Sequence, residues 1–303
     1  IFKKYKLIVS IVFSSIIIFL LLNNYDIKSI LFNIRNIDFA YFLCFLFLFV
    51  PQLLVASFRW KFIMKKINNH QISFFRSFQM CIASYSANLV IPGKMGEIIR
   101  LIWLDKKKSK YSNVLIVFFE KFFDLLSVFL IYYLSLFFLL MSKNICHVVF
   151  FYTNIFVFFC VFVFAVLKIL KVNFIVRNLI KLKLFFENNL VNIFFVLTQS
   201  IFLWLIQILQ FYFLFKCFFV DVGFLYIIAG SSLSVIAGAL ILSIGGIGPR
   251  DATLLYFFKN FVIETTLISI GALSSLRIII PAIIGLPFLI NLSKNNDKKR
   301  NLG

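Results

Sequence analysis

Acidic residues are scarce in this chain: 11 Asp and Glu stand against 31 Lys and Arg among 303 residues, a formal net charge of +20. On a soluble face such an excess would suit nucleic acid. Here the basic residues sit between long apolar runs, where they serve as topology signals and contacts to anionic lipid, so nucleic acid is not an expected partner. Histidine is rarer still, and neither His70 nor His147 has a Cys or carboxylate at ligand spacing. The five Cys are scattered without a Cys-x-x-Cys pair. No metal site and no cofactor are expected. No Gly-Lys-Ser/Thr phosphate loop and no Asp-x-Asp pair occurs, which leaves nucleotide hydrolysis and metal-dependent glycosyl transfer without their usual residues.

What the chain does have is apolar length. It is 62% hydrophobic, where a soluble domain is about 45–50% apolar, and its mean hydropathy is +1.03. Spans are expected at 7–22, 39–58, 114–141, 146–167, 192–215 and 267–292, each near the ~17–25 residues that a bilayer requires. The first follows Lys3, Lys4 and Lys6 and lacks a small-residue cleavage pattern, so it reads as a retained anchor. A polar connection with a short surface helix follows over 26–38. Pro51 lies inside the second span, and Trp60 beside Arg59 and Lys61 reads as an interface anchor. A basic amphipathic segment lies at 168–189.

Two further apolar runs are broken by polar, glycine-rich sequence. One reads Ile91-Pro92-Gly93-Lys94-Met95-Gly96-Glu97-Ile98-Ile99-Arg100, the other Gly245-Gly246-Ile247-Gly248-Pro249-Arg250-Asp251. Irregular backbone at membrane depth is tolerated only where it is buried in protein or lines a wet cavity, and a matched pair of such breaks points to a transporter's binding site. The charges agree. If every apolar run crossed once, the basic segments 59–66 and 106–110 would fall on opposite sides, against the positive-inside rule. Re-entrant hairpins at 74–104, from the cytoplasm, and 223–261, from outside, put most Lys and Arg in the cytoplasm together with both termini.

The expected fold is therefore an all-α polytopic membrane protein of six spanning helices plus two oppositely oriented re-entrant hairpins in an inverted repeat. The alternative is eight ordinary spans. The single transmembrane domain divides into an anchor and linker (1–38), a first repeat (39–141), a linking span with a basic segment (142–191), a second repeat (192–292) and a basic tail (293–303).

Ionisable groups inside a membrane are costly, so those in the broken stretches are the candidate binding residues. Glu97 and Arg100 share a face, as do Glu120 and Asp124; Arg250 and Asp251 open the return arm of the second hairpin, and Arg277 lies inside the last span. Arg100, Arg250 and Arg277 suit a lipid phosphate, because the planar guanidinium matches it. Structural ion pairing is the competing reading for each of these groups.

These residues carry a resemblance. The segment Asn88…Pro92…Gly96-Glu97…Arg100, the pair Arg59-Trp60, Glu120-Lys121…Asp124 and Gly245-Gly246…Gly248-Pro249-Arg250-Asp251 resemble the family named for the transmembrane region of lysylphosphatidylglycerol synthase, also described as flippase-like. Lys121 and Asp251 depart from the family's Arg and Glu. The expected substrate site takes in Arg59, Asn88, Glu97, Arg100, Glu120, Asp124, Arg250, Asp251 and Arg277, all but Arg277 lying in the segments that carry the resemblance. Pro92, Gly93, Gly96, Gly245, Gly246, Gly248 and Pro249 would break the backbone around it.

The resemblance implies a lipid flippase or transporter of the cytoplasmic membrane, moving an anionic phospholipid or lipid-linked sugar. Membrane lipids are the implied partners, with a lipid-modifying or glycosyltransferase enzyme as a further one. Only eleven residues follow Leu292, so no aminoacyl-transferase activity is expected, and the chain is expected not to be an enzyme. The alternatives are a non-catalytic accessory protein of a glycosylation or lipid-modification complex, and a membrane glycosyl- or phosphotransferase with Glu97, Glu120 or Asp124 as base.

Overall fold

The computed structural model describes residues 27–66, 70–103, 110–141, 190–239 and 246–301; they are helical apart from short turns, and no strand occurs among them. A chain this apolar must satisfy its backbone N–H and C=O groups internally, which a helix does residue by residue. Four stretches are long and apolar enough to cross a bilayer: Phe39–Lys66, Phe119–Leu139, Leu190–Cys217 and Glu264–Asn291. They coincide with four of the six expected spans. The spans expected at 7–22 and 146–167, the basic segment at 168–189 and Gly245 lie outside the described residues.

Helix α1 (Ile27–Arg35) occupies the expected linker. It buries Ile30 and exposes Ile27, Leu31 and Phe32. Asp38 caps α2 (Phe39–Phe47), accepting from the backbone N–H of Ala40 at 2.8 Å and Tyr41 at 3.3 Å. The helix breaks at Leu48 and resumes as α3 (Phe49–Lys66). Pro51 accounts for the break, because it has no N–H to give to the carbonyl four residues back.

Ser73 caps α4 (Phe74–Val90) by accepting from the N–H of Arg76. A 12-residue 3-10 segment, Pro92–Trp103, follows, long for a geometry that rarely exceeds a turn or so. It folds back along α4. The N–H of Gly96 donates to Asn88 Oδ1 at 2.8 Å, and Arg100 Nε donates to Ser84 Oγ at 2.8 Å. Both pairs are centred on residue 92, so the chain reverses at Pro92. A Cβ on Gly96 would stand 2.5 Å from the backbone nitrogen of Asn88, so the reversal admits no larger residue there.

Next come α5 (Lys110–Met141), α6 (Leu190–Cys217) and α7 (Phe224–Gly238). The described chain resumes at Gly246 and enters α8 (Pro249–Phe258). Gly238 faces Arg250 and Gly230 faces Phe258; both pairs are centred on residue 244, so α8 runs back along α7. The last crossing is split into α9 (Glu264–Ser274) and α10 (Leu276–Asn301), which contains Pro281 and Pro287.

The packing is crossed. The first arm of the first reversal, α4, packs most extensively on α10, from the far end of the chain, while its counterpart α7 packs on α5. Helices α2 and α3 both lie against α6. An aromatic core including Phe45, Tyr132, Phe211, Phe215 and Phe258 fills the space between α2, α5, α6, α7 and α8. A smaller core around Trp60, Met64, Met80 and Phe123 joins α3, α4 and α5. Large apolar side chains such as Phe47, Phe58, Leu134, Phe137 and Phe202 stay exposed on the crossing helices, as a lipid-facing surface requires. Trp60 is a correction: expected as an interface anchor, it is fully buried, because its ring supports Arg100 at 4.8 Å.

Candidate functional site

The charged residues of the first half form one buried network. Arg59 on α3 reaches α5, where Nη2 pairs with Glu120 Oε1 at 2.7 Å and Nη1 pairs with Asp124 Oδ1. Arg59 Nη1 also donates to Ser200 Oγ on α6 at 2.8 Å. Arg100, on the 3-10 return segment, pairs through Nη1 with Glu120 Oε2 at 2.8 Å and lies 3.4 Å from Glu97 Oε2. Lys121 bridges Glu97 and Asp124, the latter at 3.2 Å. The elements explain the convergence: Glu120 and Asp124 lie one turn apart on α5, and the reversal at Pro92 lays Glu97 and Arg100 beside them. Three cations meet three carboxylates, so the network is balanced. Five of its members are buried, and Lys121 is partly open, with its side chain 33% exposed.

The second half builds a different cluster at the split in the last crossing. Gly246 and Gly248 have φ of 82° and 98°, left-handed values that glycine adopts without strain. They turn the chain into α8 with Pro249 at its start, a position where a missing N–H costs nothing. Asp251 accepts from the N–H of Gly248 at 3.3 Å. Arg250 is held to Asp251 Oδ1 through Nε at 2.8 Å and Nη2 at 2.7 Å. Its Nη2 also donates to the carbonyl of Gly271 at 3.1 Å and to Ser275 Oγ at 2.9 Å. That carbonyl is free of the helix ladder because the N–H of Ser275 bonds to Ala272 instead. Arg250 thus occupies the break between α9 and α10.

Arg277 follows two residues later. It is 6% exposed, its Nε donates to the carbonyl of Ser274 at 3.2 Å, and its guanidinium lies 4.2 Å over the Phe211 ring. It has no ion pair among the described residues. Arg250 Nη1 and Arg277 Nη1 are both buried without a hydrogen-bond partner. Two arginines stand against one carboxylate, an excess of one positive charge.

The two clusters approach each other across Tyr85 on α4. Tyr85 is in electrostatic reach of Glu97, Lys121 and Arg100 on one side and of Arg277 on the other. Its Oη accepts from Gln52 Nε2 on α3 at 3.3 Å, and Gln52 Oε1 is buried without a partner.

The structure brings Arg59, Glu97, Arg100, Glu120 and Asp124 together, and separately Arg250, Asp251 and Arg277. Asn88 serves the reversal, its Oδ1 accepting from the N–H of Gly96. Pro92 and Gly93 lie in the 3-10 segment. Arg100, expected to hold a phosphate, is already met by Glu120 and Glu97. Ser84, Ser200, Tyr85, Gln52, Phe211 and the carbonyl of Gly271 support the two clusters and are not among the expected site residues. Ser84 was signalled by the polar character of 74–90, and Gln52 by its place after Pro51; Phe211 had no signal among 44 Phe.

Comparison with curated proteins gives no match. A family model described as "Lysylphosphatidylglycerol synthase TM region" matches residues 7–285. That span takes in both clusters and both reversals, and the chain belongs to this family of membrane proteins.

Proposed function

We propose that the chain is a flippase, moving an anionic phospholipid or lipid-linked sugar between the leaflets of the cytoplasmic membrane, with no covalent chemistry of its own. In this reading the reversal at residue 92 and the antiparallel pair of α7 and α8 are re-entrant hairpins entering from opposite sides, and residues 39–141 and 192–292 are an inverted repeat. The crossed packing supports it: each half places the first arm of its hairpin on the closing span of the other half, the relation a two-fold axis in the membrane plane produces. At about 1.5 Å per residue, α4 and α7 are about 26 and 22 Å long, enough to carry the hairpin tips deep into a ~30 Å hydrocarbon core.

The observation that carries the function is Arg277. A guanidinium buried in a membrane protein costs ~2.5–3.5 kcal/mol or more and is retained where it meets a counter-charge. Arg277 has none among the described residues, and we assign the missing charge to the ligand. The first network is self-neutralised and holds the hairpin in place. The test is leaflet exchange of fluorescent phosphatidylglycerol in proteoliposomes. Wild type is expected to exchange it, and Arg277→Gln to lose at least about tenfold in rate, equal to ~1.4 kcal/mol of barrier. Arg250→Gln is also expected to slow exchange, since it removes the same positive charge and frees Asp251 to repel the lipid. Wild-type exchange by both variants would remove the second cluster from the path.

A further inference from the structure

We infer that the second cluster selects head groups by charge number: it takes a phosphodiester carrying one negative charge, with hydroxyl groups beyond it, and rejects a diphosphate. The inference rests on the flippase reading and narrows its substrate. Arg250 spends Nε and Nη2 on Asp251, Gly271 and Ser275, and Arg277 spends Nε on Ser274, while Arg250 Nη1 and Arg277 Nη1 are buried without a partner, so the described cluster offers a ligand a terminal amino group from each arginine.

Two N–H-bearing groups from two arginines match the two free oxygens of a phosphodiester. The charge agrees with the geometry. Arg250, Arg277 and Asp251 leave an excess of one, and the neighbouring network is balanced, so one negative charge brings the pair of clusters to neutrality. A diphosphate brings at least one more charge with no cation to meet it in a low-dielectric setting, where an unmet charge is expensive. The hydroxyl selectivity comes from the other side of Tyr85. Because Tyr85 Oη accepts from Gln52, its own hydrogen remains to be donated, and Gln52 Oε1 stands ready to accept. A donor and an acceptor side by side fit the alcohols of a glycerol or sugar head group.

The experiment uses the full chain in proteoliposomes with three fluorescent probes: phosphatidylglycerol, zwitterionic phosphatidylcholine and a polyisoprenyl diphosphate. Wild type is expected to exchange phosphatidylglycerol at least tenfold faster than either of the others. Asp251→Asn raises the excess to two and is expected to improve diphosphate exchange relative to phosphatidylglycerol by tenfold or more. Arg277→Gln abolishes the excess and is expected to reverse the preference toward phosphatidylcholine. Equal exchange of phosphatidylglycerol and the diphosphate by wild type, or an unchanged ratio between them in Asp251→Asn, overturns the inference while leaving the flippase reading intact.

Thermal melting of the detergent-solubilised chain with the same lipids, and with water-soluble glycerophosphoglycerol, reads the site without transport. Stabilisation by phosphatidylglycerol in wild type but not in Arg277→Gln supports the site even if no lipid is moved. Equal stabilisation by the diphosphate overturns it. Stabilisation by glycerophosphoglycerol alone would assign the site to a soluble phosphodiester, and would overturn a lipid as its ligand. The same melts report whether each variant is folded.

Discussion

Replacing Glu120 by Ala will destabilise the protein by about 3–5 kcal/mol, the usual cost of removing one partner from a buried ion pair. Glu120 is 1% exposed and spends each oxygen on a different arginine, Oε1 on Arg59 at 2.7 Å and Oε2 on Arg100 at 2.8 Å. Its loss leaves Arg59 with Asp124 as its one carboxylate and Arg100 with a Glu97 oxygen 3.4 Å away. It also unties three elements at one point, since Arg59 is on α3, Glu120 on α5 and Arg100 on the return segment. Glu120→Gln should also destabilise, because the amide turns an N–H toward one of the two guanidinium groups. Lys121→Met is the contrast: that ammonium is part-exposed, and its loss should cost less than either Glu120 change, near the ~1 kcal/mol upper range of solvated pairs. Melting or chemical unfolding in detergent separates these cases. A Glu120→Ala protein within about 0.5 kcal/mol of wild type would mean that the network does not hold the fold.

Gly285→Val is expected to separate the two helices that pack most extensively, α4 and α10. A Cβ at residue 285 would lie 2.3 Å from the carbonyl oxygen of Ile82 and 2.5 Å from Ser86 Oγ. The serine can turn away, but the carbonyl belongs to a helix and cannot. Forced overpacking of this kind costs about 1–3 kcal/mol, occasionally more. It should reach function as well, because Arg277 rides on α10 eight residues earlier, about 12 Å along the axis, and Tyr85 sits on α4 beside the same contact. Ser86 Oγ also donates to the carbonyl of Ala282, so the valine strains a hydrogen bond on the facing turn. Both a lower melting temperature and slower lipid exchange are expected. Wild-type melting in Gly285→Val would show that α4 and α10 do not approach so closely.

Much of this was readable from residue spacing. Four spans followed from apolar length, and the positions of Glu97, Arg100, Glu120 and Asp124 at helical intervals foretold that they would share faces. Gly96 and Pro92 marked a reversal, since one breaks a helix and the other lets backbone meet backbone. What spacing could not say was which charges would saturate one another. Arg100 and Arg277 look alike as isolated arginines in apolar sequence. Their difference arises from long-range geometry: Arg100 folds back onto a span that carries two carboxylates, while Arg277 sits on a span that carries none near it. Trp60 misled for a related reason. Flanked by Arg59 and Lys61, it has the local signature of an interface residue, yet the ring is drawn inward by Arg100, forty residues further on.

The crossed packing has a consequence for how the protein is made. Helix α4 carries Ser84, Ser86 and Asn88, groups poorly suited to lipid, and its main partner α10 is synthesised about two hundred residues later; the Ser86–Ala282 hydrogen bond spans 196 positions. The first half therefore cannot close its interior when it leaves the ribosome. Its polar arm has to wait in the insertion machinery, or at the membrane surface, until the last helices arrive. Assembly of such a fold is limited by its most distant contacts, and premature release exposes the same polar groups and helix faces that the finished protein conceals.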